Sequence, residues 1–364
     1  MSPATISADS HITEPPDTYL DRIDPKYRDR APRIIHDDKL GDIFQIPGMK
    51  VPVPMGLIAA AGKDPEELRT FGVRFEDLHR GGWDPHARIG DQERDGVAAE
   101  VIYPTVGMAL CNHRDLDYKR ACMQAYNRWI AEYCSAYPDR LVGVGQTAMR
   151  TPAEGIEDLG KILALGLRGV MMPGNPGHED YDHPDYDPFW QAAIDLGVPL
   201  SFHVLTTRDT APVRGPKLNG FMSILRANQD VIGTLILSGV FERHPELRVV
   251  CVEADAGWVP HYMYRMDHAY QRHRHWLTGT ELSRLPSEYF SENIYVTFQD
   301  DWVAFQVAHL VNPERLMWAN DFPHSDSTWP HSQEILAEHT AHLAAPLKQR
   351  VLHDNCAELY GIDQ

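Results

Sequence analysis

Short apolar, β-branched runs recur along the chain at 6–11, 98–105, 141–148, 169–173, 199–204, 248–254, 294–299 and 316–321. Several are continuous rather than alternating, as in Val249-Val250-Cys251-Val252, the pattern of parallel strands buried on both faces. Between the runs the spacing turns helical. Over 120–137 the apolar positions Cys122, Tyr126, Trp129, Ile130, Tyr133, Cys134 and Tyr137 recur at three- and four-residue intervals before Pro138. Residues 152–166 open on Pro152 and close on Gly166, and 184–197 repeat that punctuation, with Pro199 leading into the next strand. Eight strands alternating with helices predict an α/β fold of the (β/α)8 TIM-barrel type. A doubly wound open sheet is the alternative, but neither G-x-G-x-x-G nor G-x-x-x-x-G-K-[ST] is present to favour it.

One interval breaks the rhythm. Residues 12–97 show no clear strand–helix unit and are rich in proline and charge, and long stretches of this kind usually have a task. The expectation is one barrel domain over 1–364, with 12–97 inserted after the first strand as a cap or as a dimerisation region. A homodimer follows as the default assembly. Residues 205–230 and 260–290 are further excursions.

Composition narrows the partners. Of 364 residues, 43% are hydrophobic and 24% charged, values of an ordinary globular chain. With 34 Lys and Arg against 52 Asp and Glu the net charge is −18, which repels phosphate backbones and anionic lipid. No nucleic acid and no membrane are therefore expected as partners. Five cysteines without a C-x-x-C pair suit a reducing cytoplasm and argue against a thiolate zinc site. The first residues lack the basic and apolar regions of a signal peptide, so the expected localisation is cytoplasmic.

In such barrels chemistry sits at the C-terminal ends of the strands. The first strand ends in Asp9-Ser10-His11, with Glu14 three residues on. The fifth ends at His203, the sixth at Glu253-Ala254-Asp255 and the eighth at Asn320-Asp321, followed by Phe322-Pro323-His324. Asp9 and His11, two apart on a strand, point to one side and make a pincer for a divalent cation. Glu253, beside a buried strand, needs a cation or hydrogen-bond donors; a salt bridge to Arg265 would also serve. The candidate metal ligands are Asp9, His11, Glu14, His203, Glu253 and Asp321. The candidate catalytic groups are Asp321, His324 and Glu253.

These residues carry a resemblance. Asp9-Ser10-His11-x-x-Glu14-Pro15, Ser201-Phe202-His203, Ser238 through Pro245, Val252-Glu253-x-x-x-Gly257-Trp258 and Asn320 through His324 appear in one order along the chain. The sequence resembles the amidohydrolase superfamily, in its aminocarboxymuconate-semialdehyde-decarboxylase-like branch. The resemblance implies a metal-bearing (β/α)8 barrel with ligands at Asp9, His11, His203 and Asp321, and an aspartate, Asp321, that also handles protons. Two departures stand out. Asp9-x-His11 replaces the His-x-His or Glu-x-His of many relatives, and Glu253 stands where the decarboxylases carry a catalytic histidine.

Three activities follow as expectations, all using one or two divalent ions (Zn, Mn or Fe). The first is metal-assisted hydrolysis of an amide, ester, lactone or thioester, with Asp321 or Glu253 accepting a proton and His324 donating one. The second is a non-haem di-iron oxygenase, suggested by four carboxylates (Asp9, Glu14, Glu253, Asp321) beside two histidines. The third is non-oxidative decarboxylation, disfavoured by Glu253. The substrate expected is a small hydrophobic or aromatic acid derivative. Trp83, Met55, Met222, Trp258, Met263, Trp276, Trp302 and Trp329 are candidate pocket walls, and Arg208 and Arg265 candidate anion clamps.

Overall fold

The computed structural model describes residues 4–207, 214–277 and 279–362. Eight strands form one parallel sheet in sequential order: β1 (Thr5–His11), β5 (Val97–Tyr103), β6 (Leu141–Gln146), β7 (Gly169–Met172), β8 (Leu200–His203), β9 (Val249–Val252), β10 (Ile294–Phe298) and β11 (Leu316–Trp318). Each lies on a run anticipated from the sequence. The last strand comes back to the first: the amide of Asp321 donates to the carbonyl of Asp9 (3.1 Å), and that of His11 to the carbonyl of Phe322 (2.7 Å). Polar side chains stitch the same seam. Ser7 and Ser10 hydroxyls both donate to Asn320 Oδ1, at 3.0 and 2.9 Å, and the Asn320 amide donates back to Ser7 Oγ (2.9 Å). The result is a (β/α)8 barrel.

The anticipated helices are present at Leu116–Cys134, Pro152–Ala164 and Asp187–Asp195. Asp115 and Thr151 cap the first two, accepting from the amides of Tyr118 (3.0 Å) and Glu154 (3.3 Å). All five cysteines are buried and unpaired. Among the described residues no helix is long and apolar enough to cross a membrane.

The interval after β1 contains a small antiparallel sheet of β2 (Arg33–Asp37), β3 (Gly41–Gln45) and β4 (Val53–Pro54). It also contains a helix, Pro85–Asp95, which the sequence reading had not distinguished. The reason is physical: its buried residues are Arg88, Gln92 and Asp95, so its inward face is polar and leaves no apolar stripe to read. Two segments of the interval lie against the strand ends. The amide of Ala61 donates to the Pro323 carbonyl (3.0 Å), that of Ser325 to Leu57 (2.9 Å) and that of Thr13 to Gly82 (2.7 Å). Gly82 allows this approach, since a Cβ there would meet Thr13 Oγ1 at 2.8 Å.

Candidate metal centre

Six side chains converge where β1, β8, β9 and β11 end: Asp9, His11, His203, Glu253, Asp321 and His324. They form two overlapping groups, Asp9–His11–His203–Glu253 and His11–Glu253–Asp321–His324, with ligand atoms in each within 4.8 Å of one another. Strand alternation sends Asp9 and His11 to the same side, as the sequence indicates. His11 Nε2 stands 3.4 Å from Asp9 Oδ1, 3.5 Å from Asp321 Oδ1 and 3.9 Å from Glu253 Oε2. His203 Nε2 stands 3.3 Å from Glu253 Oε2 and 3.7 Å from Asp9 Oδ1. Glu253 thus meets histidines rather than an arginine. Backbone strain marks the same place: Glu253 (φ 56°), Asp255 (φ 54°) and Asp321 (φ 52°) hold left-handed conformations that side-chain-bearing residues rarely adopt.

The hydrogen-bond pattern calls for a cation. His11 Nδ1 faces the Pro104 carbonyl (3.2 Å) and His203 Nδ1 faces that of Val204 (3.0 Å). A carbonyl only accepts, so each Nδ1 keeps its proton and the two Nε2 atoms face each other 3.1 Å apart, with Asp9 and Glu253 favouring positive charge on the His203 side against its burial. Two nitrogens in such contact need a positive charge between them. Both oxygens of Asp9 and of Asp321, and Oε2 of Glu253, are buried with no hydrogen bond. Leaving such atoms unpaired is costly, and a divalent ion satisfies them together with the two imidazoles. The residues therefore fit a divalent metal with mixed nitrogen and oxygen ligands.

Electrostatics agree with a site short of positive charge. Burial pushes the His11 and His324 imidazoles down to about 3. Burial, reinforced by repulsion from Asp321 on Glu253 and from Asp9 on Asp321, lifts both of these carboxyls well above their usual range. Burial would raise Asp9 too, but His11 and His203 beside it hold it low.

His324 enters from the turn after β11. Its ring stacks on that of His11 at 3.9 Å, and its Nδ1 is 3.1 Å from Asp321 Oδ1. Thr105 sets its tautomer. The single hydroxyl proton of Thr105 goes to the Ile12 carbonyl (2.6 Å), so His324 Nε2, 2.9 Å away, must be the donor. Nδ1 then carries no proton and faces Asp321 Oδ1. Thr105→Val, which keeps the shape and removes the acceptor, is expected to lower kcat about 10- to 100-fold with little change in KM. Thr105→Ser should restore it, and steady-state kinetics on the two variants checks this.

Glu14 is a correction. It lies outside both ligand groups because its Oε1 instead accepts from the amides of Val106 (2.9 Å) and Gly107 (3.3 Å). Burial raises its pKa from 4.5 to about 7. Below pH 4.5 the group is protonated folded or unfolded and contributes no pH dependence. Between 4.5 and about 7 the unfolded chain releases its proton first, so stability falls as pH rises. The total is on the order of 3 kcal/mol. Chelator-treated Glu14→Gln protein should lose that part of the decline when urea midpoints are compared from pH 4.5 to 8.

Thr105 and Arg88 are the residues that sequence reasoning missed. Thr105 follows the β5 end and was open to the same strand-end rule; Arg88 carries no local signal. Arg88, fully buried, bonds Glu100 Oε2 (2.6 Å) and the carbonyls of His11 (2.7 Å) and Phe322 (3.2 Å), tying the two ligand-bearing strand ends together. Of the proposed pocket walls, Met222, Trp276 and Trp302 are largely exposed, while Met55 and Trp329 are buried, Trp329 beside Phe322 and Ala61. Arg265 is exposed on the helix Val259–His273, and Arg208 lies outside the described residues.

Comparison with known proteins accords with this geometry. The amidohydrolase family model matches residues 106–362. A 2-amino-3-carboxymuconate-6-semialdehyde decarboxylase of Dictyostelium discoideum is 25% identical over 301 residues, 82% of each chain. The structure of an amidohydrolase of Mycobacterium avium subsp. paratuberculosis superposes with a TM-score of 0.80 at 20% identity, over 100% of this chain and 99% of that one. A 5-carboxyvanillate decarboxylase of Novosphingobium aromaticivorans, complexed with manganese and 4-hydroxy-3-methoxy-5-nitrobenzoic acid, superposes with a TM-score of 0.70 at 20% identity, over 98% and 96% of the two chains. The chain is an enzyme of the amidohydrolase family.

Proposed function

We propose that this enzyme is a divalent-metal-dependent, non-oxidative decarboxylase of a small aromatic or enoic acid. The observation that carries the proposal is the buried cluster at the strand ends, with its orphaned carboxylate oxygens and facing imidazole nitrogens. Asp9, His11, His203 and Asp321 would hold the ion, with Glu253 and His324 flanking it. Manganese is the ion favoured, by similarity to the carboxyvanillate enzyme. A bound divalent ion supplies a fixed positive charge that orients the oxygens of an acidic substrate and draws electron density from it.

The protein's own groups account for the proton. Decarboxylation breaks the bond between the carboxyl carbon and the ring or alkene carbon, leaves the electron pair on the latter and requires a proton there. Asp321 Oδ1 faces His324 Nδ1 at 3.1 Å, and we assign to this pair the delivery of a proton taken up from solvent. Burial and the neighbouring Asp321 push the Glu253 carboxyl well above its usual range, a shift that a cation bound beside it would oppose.

The ordering of activities expected from the sequence is thereby reversed. Hydrolysis was placed first, but both relatives whose reaction is named above are decarboxylases. The di-iron reading rested on four carboxylates and two histidines; with Glu14 elsewhere and His324 present, the cluster has three of each. Incubating the manganese-loaded enzyme with hydroxybenzoic acids and enoic acids under nitrogen tests the proposal. Stoichiometric CO2 and the decarboxylated product without oxygen uptake are expected; hydrolysis of esters or amides with no CO2 from any acid would overturn it.

A further inference from the structure

The loop that follows β7 brings a second set of ligand-type side chains together. His178, His183 and Asp185 each offer one atom within 4.8 Å of the others. His178 Nε2 is 2.8 Å and His183 Nδ1 3.5 Å from the same carboxylate oxygen, Asp185 Oδ2. The imidazole planes stand nearly perpendicular, with centroids 6.0 Å apart. We propose that these three residues form a transition-metal site separate from the barrel cluster, taking a borderline ion of the Zn2+, Ni2+ or Cu2+ class.

Ligand chemistry selects the ion. Two imidazoles and one carboxylate suit borderline divalent metals, whereas Ca2+ and Mg2+ favour all-oxygen shells. The lone pairs are in hand. The Asp185 amide donates to His183 Nδ1 at 3.3 Å, so that nitrogen carries no proton. Binding would displace only that weak bond and the proton His178 Nε2 shares with Asp185.

The loop is also held in shape. The Tyr186 hydroxyl donates to the His178 carbonyl (2.8 Å), the His183 amide to the Asp180 carbonyl (2.9 Å) and the Tyr181 hydroxyl to the Pro173 carbonyl (2.6 Å). Tyr181 and Tyr186 are fully buried, so the ligands sit on an anchored scaffold and little ordering entropy opposes binding. His178 and His183 are each about 40% exposed at the side chain, which lets the ion enter from solvent and leaves positions for water. Glu179, Asp180 and Asp182, interleaved with the ligands, add negative charge that draws cations in.

The experiment is a calorimetric Zn2+ titration of the metal-loaded enzyme, paralleled by Co2+ absorption. The wild type is expected to take up one equivalent more than the His178→Ala/His183→Ala double variant. Asp185→Asn should weaken that equivalent by more than about tenfold. Activity should be the same in all three, since none of these residues belongs to the barrel cluster. Equal uptake with equal affinity by the wild type and the double variant would overturn the proposal.

Discussion

His203→Ala protein is expected to purify without its metal and to lose about 10³-fold or more in kcat. His203 contributes one of the two inward imidazole nitrogens, and its removal leaves Asp9 and Glu253 facing each other with less positive charge between them. The loss corresponds to several kcal/mol of transition-state stabilisation, the usual worth of a fixed divalent charge. Asp321→Ala should do the same and additionally remove the partner of His324 Nδ1. Elemental analysis of freshly purified protein gives the metal content, and circular dichroism confirms that the barrel is folded. Retention of metal by both variants at the wild-type level would show that the ligand assignment is wrong.

The second large effect is on stability. Arg88→Met should cost about 3–5 kcal/mol, because Glu100 stays buried with its charge unpaired. Against a total stability of roughly 5–15 kcal/mol this is a sizeable share. The same change removes the donors to the carbonyls of His11 and Phe322, so activity should fall along with the urea midpoint. Arg88→Met/Glu100→Gln should recover at least half of the lost stability, since no buried charge is then left, but not the activity. A double variant as unstable as the single would mean that Arg88 acts through packing against Phe322, whose ring its guanidinium overlies at 4.5 Å, rather than through charge.

Five of the six converging residues, Asp9, His11, His203, Glu253 and Asp321, were legible as candidate metal ligands because they lie on or just beyond parallel strands. A strand has a fixed period of two, and a barrel has one end at which chemistry collects. Two local rules therefore give both the direction of a side chain and the place where it arrives. His324 was legible as a candidate catalytic group from its position in the turn after the last strand, though not as a neighbour of His11.

Beyond the strand ends those rules stop. Glu14 and His324 each stand three residues past a strand-end ligand, Glu14 past His11 and His324 past Asp321, yet Glu14 turns away and His324 turns in. Competition for hydrogen bonds decides between them. The amides of Val106 and Gly107 hold Glu14, while Thr105, with its proton committed to Ile12, accepts from His324. Arg88 was hidden for a related reason. Its helix buries a polar face, and a charged residue in sequence carries no sign that a carboxylate 12 positions away will neutralise it inside the barrel wall. The chain by itself thus determined the barrel, its strand order and most of the cluster, since periodicity and hydrophobic burial act locally. Tertiary structure alone decided which polar groups partner one another, because each buried donor or acceptor must be satisfied by whatever the fold brings within about 3 Å.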